Sequence, residues 1–374
     1  MGGVVLYCRI DGNFGGVERH ILSLAKCLKD GPYSPVVVPI ANHGELEKQA
    51  NALKIPTHFL PMKSRFDIFG AANRLRKLVH QHEAVIIHTF GIRSNSLAWM
   101  ISKKTPAAWA ARVPNLSHTD YKNRWVGHVS HRINNHFLNR ADAVQVISPQ
   151  LKDYFDQLAA PPQKIELVPN GIDFEHYQPK QDKATYKTAL NIPEQAYVIG
   201  AVGRMAPIKG YDVLIQAFAK VKASLPQAHL VFVGDGPEKQ ALQQQAERLQ
   251  VSGSVRFTGF LEDVRPALGA LDLYVCSSHS EGVPHTILEA MAAKVPILST
   301  RVGGVESVIQ SGVNGLLLHA LDADLFANTI VELAQDAERT NVYAKNAFTR
   351  IQTDFSEERM VKRIVEMYDR MLKQ

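Results

Sequence analysis

Short apolar runs alternate with longer amphipathic stretches through the first half of the chain. The short runs are dense in Val, Ile and Ala, as buried strands are, and the longer stretches repeat apolar residues at helical spacing. The predicted strands are Val4–Cys8, Val36–Ile40, Val85–His88, Ala107–Val113 and Ala143–Ile147. The predicted helices are Val17–Leu28, Gly44–Leu53, Phe69–His82 and Arg93–Ser102. Strands that alternate with helices in this way indicate βαβ units and a parallel sheet.

The second half of the chain repeats the same alternation. Its predicted strands are Val198–Val202, His229–Val233, Val255–Phe257, Leu271–Cys276, Ile297–Thr300 and Gly315–Leu318. Its predicted helices are Gly210–Ser224, Pro237–Leu249, Asp263–Leu268, His285–Ala292, Val305–Gln310 and Ala323–Asp336. A second parallel sheet with helices between its strands follows from this pattern.

A Pro-Asn-Gly turn at residues 169–171 marks the boundary between the two halves. A chain of 374 residues is long enough for two domains, each with its own core. We therefore predict an α/β fold of two Rossmann-like domains, residues 1–173 and 174–355. Residues 356–374 carry apolar side chains at helical spacing and predict a C-terminal helix.

The composition, with 45% hydrophobic and 21% charged residues, is that of an ordinary globular protein. The net charge of +6 comes from residues 1–179, which carry 21 basic and 14 acidic side chains, against 21 and 22 in the remainder. A basic first half indicates an anionic partner: a membrane surface, a phosphorylated acceptor or nucleic acid. Ordinary scatter of surface charge explains the asymmetry equally simply. Nucleic acid has only the net charge in its favour and is not expected.

The three cysteines, Cys8, Cys27 and Cys276, lack the spacing of a metal site or of a disulfide framework. The N-terminal residues begin a strand-like run without the basic and apolar regions of a secretory signal. No apolar run is long enough to span a bilayer. We therefore expect a reduced, cytoplasmic protein, associated with the inner face of the cytoplasmic membrane if the basic half contacts lipid.

Residues 280–292, SEGVPHTILEAMA, carry two glutamates eight positions apart, Glu281 and Glu289. The strand predicted upstream places Glu281 at the carboxyl end of a strand, where open α/β sheets bind their ligands. Glu289 lies about two helical turns further on, so both carboxylates can point into one crevice beside backbone N–H groups. The alternative is a solvated helix face, which is the commoner cause of such spacing.

This segment resembles the E-x7-E element of retaining glycosyltransferases of family 4, which have the two-domain GT-B architecture. Residues 200–210, GAVGRMAPIKG, resemble the G-R-x-x-x-x-K-G element of the same family. Residues 164–173 and 231–238 resemble two of its structural segments. The similarities follow the family's order and cover nearly the whole chain. The resemblance implies two Rossmann-like domains that face each other across a cleft, with the C-terminal helix crossing back to the N-terminal domain.

The resemblance also implies a donor site for a nucleoside-diphosphate sugar in the second domain and an acceptor site in the first. Arg204 and Lys209 would contact the leaving diphosphate, for which a forked guanidinium and a mobile ammonium are suited; the alternative is two surface cations. Glu289 would hold the ribose and Glu281 the donor sugar. The other implied donor residues are the turn Gly282, Val283, Pro284, His285 and Thr286, with Gly234 near the nucleotide and Phe260 near the base.

In the N-terminal half, Gly15 and Gly16 lie between the first predicted strand and helix. Adjacent glycines allow close backbone approach, and the helix that follows offers free N–H groups to a phosphate. In the resembled family this pair closes over the donor phosphates from the opposite domain. The second strand ends without an acidic residue to hold a ribose, which disfavours an NAD-dependent oxidoreductase.

Three polar residues at strand ends are assigned to the acceptor or sugar side. His88 ends a predicted strand, and a structural histidine is the alternative. Many members of the resembled family carry a His-Asp pair at the tip of the next strand, where Pro114 and Asn115 stand here. Asn115 occupies that place, or His118 substitutes for the missing histidine.

Residues 121–141 combine many basic side chains and Trp125 with Val129, Ile133 and Phe137 at helical spacing. A basic amphipathic helix with a tryptophan is typical of segments that lie in a membrane interface. A helix with an apolar face toward the core and a solvated basic side has the same pattern, so both interpretations stay open.

Together these residues predict a retaining glycosyltransferase that moves a sugar from a nucleoside-diphosphate sugar, with UDP favoured, to a hydroxyl group. A glycan or lipid-linked acceptor of the cell envelope, as in lipopolysaccharide synthesis, fits the basic first half. Catalysis is assigned to Glu281, Arg204 and Lys209. Asp322 and Asp324 precede a helix, where capping is expected, and no metal or other cofactor is predicted. The alternatives are a nucleotide-sugar epimerase or phosphorylase of the same fold, and a non-catalytic scaffold.

Overall fold

The computed structural model describes residues 2–10, 15–64, 66–115, 124–158 and 164–373, apart from the side chains at positions 124 and 126. The chain folds into two compact units, Met1–Gly171 with Glu357–Gln374, and Ile172–Ser356. The division falls at the Pro-Asn-Gly turn, where proline and glycine interrupt regular structure. Each unit is described separately below.

The first unit is built on a parallel sheet of seven strands. They are β1 (Gly3–Ile10), β2 (Tyr33–Ala41), β3 (Leu60–Pro61), β4 (Ala84–Phe90), β5 (Ala108–Val113), β6 (Ala143–Val146) and β7 (Ile165–Leu167). Their order is β3-β2-β1-β4-β5-β6-β7, so the direction of winding reverses between β1 and β4. The central strands are buried almost throughout, as apolar strands of parallel sheets are.

The helices that alternate with these strands are α1 (Gly16–Leu28), α2 (Glu45–Ala52), α3 (Ile68–Gln81), α4 (Ile92–Ile101), α5 (Arg124–Leu138) and α6 (Pro149–Gln157). In α1 the core-facing residues include Ile21, Leu24 and Leu28, which recur at the helical period. α6 begins after Ser148, whose Oγ accepts a hydrogen bond of 3.3 Å from the backbone N–H of Leu151.

The second unit holds a parallel sheet of six strands in the order β10-β9-β8-β11-β12-β13. The strands are β8 (Tyr197–Val202), β9 (Ala228–Val233), β10 (Val255–Gly259), β11 (Leu273–Cys276), β12 (Ile297–Thr300) and β13 (Leu316–Leu318). The helices are α7 (Lys183–Ala189), α8 (Tyr211–Ser224), α9 (Lys239–Arg248), α10 (Arg265–Ala270), α11 (His285–Ala292), α12 (Ala323–Gln335) and α13 (Ala337–Asp354). Phe218 of α8, Phe232 of β9 and Phe326 of α12 belong to one buried core.

The C-terminal helix, α14 (Glu357–Leu372), belongs to the first unit. It buries Ile364, Met367 and Tyr368 in the same core as α1 and the sheet, and burial of an Ile or Met side chain contributes about 1.5–3 kcal/mol. Polar contacts fix its ends: Ser23 donates to the Glu357 carboxylate at 2.5 Å, and Tyr33 donates to Asp369 at 2.7 Å. The predicted return of this helix to the N-terminal domain is confirmed.

The two predicted parallel sheets are confirmed, and the errors concern short or polar elements. α6, α7, α13, β3 and β7 were not predicted. The helix predicted at Val305–Gln310 is wrong, because a turn of 3-10 helix occupies Gly303–Ser307. α13 carries a readable signal, since Tyr343, Ala347 and Ile351 are buried at spacings of four residues. Among the described residues, no helix has the length and apolarity needed to cross a membrane.

Candidate active site

The carboxyl ends of β8 and β11 form the topological switch point of the second sheet. β8 is the first strand of this unit; β9 and β10 follow on one side, whereas β11, β12 and β13 lie on the other. The loops that leave β8 and β11 therefore diverge and open a crevice at the sheet edge, which is where open α/β sheets bind ligands. The sequence places Arg204 and Lys209 after β8, and Glu281 after β11.

The loop after β8 packs tightly against neighbouring backbone. Gly210 has a left-handed conformation with φ of +59°, and a Cβ there would lie 2.2 Å from the carbonyl oxygen of Ser277. The hydroxyl of Ser277 donates to the carbonyl oxygen of Lys209 at 2.9 Å, and the N–H of His279 donates to Ile208 at 2.8 Å. Only glycine suits position 210, and this close packing brings Lys209 beside the loop that follows β11.

Lys209 and Glu281 form an ion pair across the switch point, with 2.5 Å between Nζ and Oε1. The two side chains are 20% and 12% exposed. The hydroxyl of Ser278 also donates to Glu281 Oε1, at 2.6 Å. Burial disfavours the ammonium, but the adjacent carboxylate more than offsets this and raises the pKa of Lys209 above its ordinary value. Lys209 is therefore a cation at neutral pH.

A second loop, after β12, holds the backbone of Glu281 in place. Gly303 has φ of +49°, and a Cβ on it would lie 1.8 Å from the carbonyl oxygen of Glu281. The N–H of Gly304 donates to the same oxygen at 3.3 Å. The sequence analysis did not single out Ser277, Ser278 or this glycine pair, although adjacent glycines directly after a strand are a usable signal.

Glu289 lies in α11 and is 1% exposed. The Tyr177 hydroxyl donates to its Oε1 at 3.2 Å, and this excludes the interpretation of Glu289 as part of a solvated helix face. The turn at Gly282, Val283, Pro284, His285 and Thr286 joins the two glutamates, with Pro284 as the N-cap residue of α11. Tyr274 anchors the turn by donating to the Thr286 hydroxyl at 2.8 Å.

Three other predicted donor residues follow β8, β9 and β10 at the same sheet edge. Arg204 is exposed and forms no ion pair within the ranges that the structure describes. Gly234 has φ of +131° and a Cβ there would meet the carbonyl oxygen of Gly203 at 2.1 Å, so it permits close contact between two loops. Phe260 is 59% exposed just beyond β10. Their roles toward a donor stay predictions.

In the first unit, Gly15 and Gly16 stand at the N-terminus of α1. The N–H of Gly15 donates to Glu18 Oε2 at 3.0 Å, while Arg9 Nε donates to Glu18 Oε1 at 2.7 Å. Arg9 also donates to the carbonyl oxygen of Phe90 at 2.9 Å. The buried carboxylate of Glu18 thus ties the glycine pair to β1 and β4, an arrangement that the sequence analysis did not anticipate.

His88 is fully buried in β4, where its Nδ1 and the Tyr368 hydroxyl share a hydrogen bond of 2.7 Å. Burial, with a further contribution from Arg112, lowers the pKa of His88 to about 3, so the imidazole is neutral. This placement favours the structural interpretation over an acceptor contact. Asn115 is half-buried just after β5, and His118 lies outside the described residues.

Arg112 is a second buried residue that the sequence analysis missed. It is 2% exposed in β5 and donates from Nη2 to Asn170 Oδ1 at 2.5 Å. Asn170 belongs to the Pro-Asn-Gly turn where the two units divide. The contact links the end of the first sheet to that turn.

The two aspartates of the Asp-x-Asp motif cap a helix and form a surface ion pair. Asp322 caps α12 by accepting a hydrogen bond of 2.8 Å from the N–H of Leu325, and Asp324 pairs with Lys220. The predicted capping role is confirmed. Within the described parts of the chain, no three His, Cys, Asp or Glu side chains come together as a metal site would require.

The segment predicted as a basic amphipathic helix forms α5, and its apolar stripe faces outward. Trp125, Val129 and Ile133 are 80%, 46% and 45% exposed. The inward positions hold polar residues instead: Asn134 accepts from Asn95 at 2.9 Å, and His131 shares a hydrogen bond with Tyr154. The core-facing alternative is therefore wrong for Val129 and Ile133.

Two family models match consecutive parts of the chain. Residues 14–176 match the model described as Glycosyltransferase Family 4, and residues 182–350 match the one described as Glycosyl transferases group 1. Together the two matches span both units.

Two curated relatives are similar over part of their length. A lipopolysaccharide core biosynthesis glycosyltransferase of Rhizobium meliloti is 36% identical over 47% of this chain and 50% of its own length. An N-acetyl-alpha-D-glucosaminyl L-malate synthase of Bacillus anthracis is 30% identical over 62% of this chain and 60% of its own length. The chain thus spans about half to three fifths of these relatives.

Two solved structures share the fold over nearly the full chain. A complex of Anabaena HepE with UDP-glucose has a TM-score of 0.88 at 22% identity, covering 98% of this chain and 100% of that one. Sucrose-phosphate synthase from Thermosynechococcus elongatus has a TM-score of 0.84 at 20% identity, covering 99% of each chain. The predicted fold class is confirmed by these likenesses.

Proposed function

Because the chain belongs to the glycosyltransferases of family 4 and group 1, we propose that it transfers a sugar, with retention of configuration, from a UDP-sugar to a hydroxyl acceptor. The acceptor is a glycan or a lipid-linked glycan of the cell envelope. The observation that carries this proposal is the pair of Lys209 and Glu281, which are 72 positions apart in the sequence and 2.5 Å apart at the switch point.

The pair is suited to binding a diphosphate that departs with negative charge. Lys209 is held as a cation by Glu281, and Arg204 presents a second, exposed cation on the same loop after β8. An incoming diphosphate competes with Glu281 for the ammonium group, which frees the carboxylate to accept hydrogen bonds from the donor sugar. Fixed cations beside the leaving group stabilise the charge that develops as the glycosidic bond breaks.

The nucleotide proposal draws on Glu289 and on the structural likeness. Glu289 is buried and held by Tyr177, so its carboxylate is oriented to accept hydrogen bonds from ribose hydroxyls. The similar Anabaena HepE was crystallised with UDP and with UDP-glucose, which favours UDP as the nucleotide for this chain too.

Two observations support an acceptor of the cell envelope: the name of one relative and the positive charge of the first half of this chain. The Rhizobium relative is described as acting in lipopolysaccharide core biosynthesis, and the first half of this chain is basic. A phosphorylated or lipid-linked glycan is attracted to such a surface. The three cysteines are free thiols, which suits the cytoplasm, where nucleotide sugars would be the donors.

We propose further that α5 contacts the anionic inner face of the membrane. Trp125, Val129 and Ile133 form an exposed apolar stripe on that helix, and the neighbouring His128 and Arg132 are exposed as well. Tryptophan and aliphatic side chains beside basic residues favour the boundary between headgroups and acyl chains.

The test measures kcat/KM for sugar transfer from UDP-sugars in variants with substitutions at the switch point. Arg204→Ala, Lys209→Ala and Glu281→Ala each lower kcat/KM by about 10²- to 10³-fold, the cost of removing one charge-stabilising group. Lys220→Ala is the matched control, because this lysine pairs with a surface aspartate of the same unit, Asp324. Rates close to wild type in all three site variants contradict the proposal.

Product analysis separates the remaining functions. An epimerase interconverts the UDP-sugar without any acceptor, and a phosphorylase consumes the glycan with inorganic phosphate. A scaffold binds no nucleotide sugar, so thermal stabilisation by a panel of UDP-, GDP- and ADP-sugars excludes it. The anomeric configuration of the product decides whether the transfer retains configuration.

A further inference from the structure

A cavity of about 320 Å³ opens in the first unit. Its size is at the lower end of the range for pockets that bind small organic ligands, roughly 300–1,000 Å³. Well-packed interiors leave few voids larger than a water molecule. A cavity of this size that opens to the surface has room for a small organic ligand.

The floor of the cavity is apolar. Leu138 of α5, Val144 of β6, Phe155 of α6 and Ile165 of β7 line it, and each is less than a tenth exposed. Two asparagines also line the cavity, Asn135 of α5 and Asn139 directly after that helix.

The rim of the cavity is basic. Arg132, His136 and Lys164 line it, and the first two are exposed. None of the three forms an ion pair within the described ranges, whereas nearby Lys152 on α6 is paired with Asp156 at 2.5 Å. The guanidinium of Arg132 and the ammonium of Lys164 are thus available to an external anion. An apolar floor below unpaired cations is complementary to a hydrocarbon chain that ends in an anionic group.

The cavity borders the exposed stripe of α5. Arg132 lies three positions after Val129, and His136 lies three positions after Ile133. Residues three apart are neighbours on a helix surface. A lipid that meets this stripe is therefore within reach of the basic rim.

We propose that the cavity between α5, α6 and β7 binds one acyl chain of an anionic membrane lipid, with the headgroup phosphate at Arg132, His136 and Lys164. This inference deepens the proposed membrane contact and rests on it for the source of the lipid. It does not depend on the proposed transfer reaction. The lipid fixes the orientation of the first unit on the membrane, since it adds a specific site to the non-specific attraction of the basic surface.

The test uses the full chain in solution, without vesicles. Three probes are titrated calorimetrically below micellar concentration: dodecyl phosphate, dodecanol and inorganic phosphate. Dodecyl phosphate is expected to bind at one site, dodecanol more weakly, and inorganic phosphate not measurably. Equal affinity for inorganic phosphate and dodecyl phosphate, or no binding of dodecyl phosphate, overturns the proposal.

Two variants locate the site. Arg132→Glu combined with Lys164→Glu weakens dodecyl phosphate binding roughly tenfold, as expected for two partly exposed ion pairs. The control, Lys77→Glu combined with Lys103→Glu, makes the same charge change at exposed positions outside the cavity and leaves binding unchanged. Leu158→Trp fills the cavity from its partly exposed edge and abolishes binding while thermal unfolding stays cooperative. Unchanged binding in both site variants refutes the location.

Different results would contradict the lipid cavity, the membrane contact and the transfer reaction. Wild-type protein that binds phosphatidylglycerol vesicles but not dodecyl phosphate contradicts the cavity and leaves membrane contact intact. Protein that binds dodecyl phosphate but transfers no sugar from any nucleotide sugar contradicts the proposed function and leaves the lipid site intact.

Discussion

The two sheets carry similar charged pairs at their carboxyl edges, but the pairs differ in how fully they are satisfied. In the first unit, Arg9 and Glu18 form a closed network: Glu18 accepts from Arg9 through one oxygen and from Gly15 through the other, and Arg9 donates also to Phe90. In the second unit, the hydrogen bonds of the Lys209–Glu281 pair run to Glu281 Oε1 alone.

The difference indicates which edge is built for structure and which for a ligand. Both carboxylate oxygens of the buried Glu18 are occupied, so this carboxylate has little left to offer a substrate, and its loss removes the counter-charge of Arg9. The Lys209–Glu281 pair keeps ammonium hydrogens and one carboxylate oxygen available, with exposed Arg204 on the same loop. The first edge thus holds a glycine loop in place, and the second is ready to exchange partners.

The largest expected effect is on stability, in the first unit. Glu18→Ala removes the carboxylate that accepts from both Arg9 and Gly15 and lowers the free energy of unfolding by about 3 kcal/mol, the lower end of the cost of breaking a buried pair, because 23% of the Arg9 side chain is exposed. Urea unfolding measures it. Glu281→Ala should cost less, because the Glu281 side chain is 12% exposed against 2% for Glu18 and accepts hydrogen bonds through one oxygen instead of two. Equal losses in the two variants would erase the distinction between the edges.

The next effect concerns the support of Glu281. Gly303→Ala forces a non-glycine residue into a left-handed conformation, which costs about 1–3 kcal/mol, and its Cβ meets the Glu281 carbonyl oxygen. Displacement of Glu281 raises the activation free energy of transfer from UDP-sugars, read from kcat/KM, by more than the variant loses in free energy of unfolding. Gly253→Ala is the control, since no atom lies within 4 Å of its added Cβ. Full transfer activity in Gly303→Ala would show that the loop after β12 does not position Glu281.

A smaller effect is pH-dependent and belongs to the buried edge. The folded-state pKa of His88 is about 3, below its ordinary value of 6.5, so the unfolded chain takes up a proton that the folded chain refuses. Stability from the neutral imidazole is complete above pH 6.5 and is lost as the pH falls toward 3. Since one pH unit corresponds to about 1.4 kcal/mol, roughly 2 kcal/mol is lost by pH 5.

The measurement is the difference between wild type and His88→Gln in urea unfolding at pH 7 and pH 5. The variant lacks the titrating group and loses less stability on acidification than the wild type does. Identical pH dependence in the two proteins would mean that His88 is solvated, and would reopen its assignment to the acceptor side.

The smallest expected effect is that of metal removal. In the proposed function, Arg204 and Lys209 supply the positive charge that a divalent cation would otherwise bring to a leaving diphosphate. Transfer rates in excess EDTA therefore stay within a factor of about two, which is within the scatter of such assays. A tenfold loss that Mg²⁺ or Mn²⁺ restores would contradict this expectation.

The edge of the second sheet that carries Lys209 and Glu281 was largely predictable because its signals are local. Lys209 and Glu281 each follow a strand on a glycine-containing loop, and the strand–loop–helix order places such residues at one sheet edge. Their direct pairing was not predictable, because it depends on the contact of Gly210 with Ser277, residues far apart in sequence. The burial of Glu289 likewise depends on Tyr177, which no local pattern connects with it.

The helix α5 shows where local patterns fail. Val129 and Ile133 have helical spacing, which correctly predicts a helix, but the same spacing suits a core face and a membrane face. Which side faces the sheet is set by partners on other elements, such as Asn95 and Tyr154. These partners draw polar residues inward and leave the apolar stripe outside.

The sequence alone determined the two parallel-sheet units and the placing of glycine loops and charged residues at strand ends, because periodicity and turn chemistry act over a few residues. Only the tertiary structure decided that Glu18 closes a network while Glu281 stays available, that His88 is buried against Tyr368, and that a cavity lies beside α5. Burial and pairing arise from contacts between residues distant in the chain, and these contacts set the charge states and free donors on which binding depends.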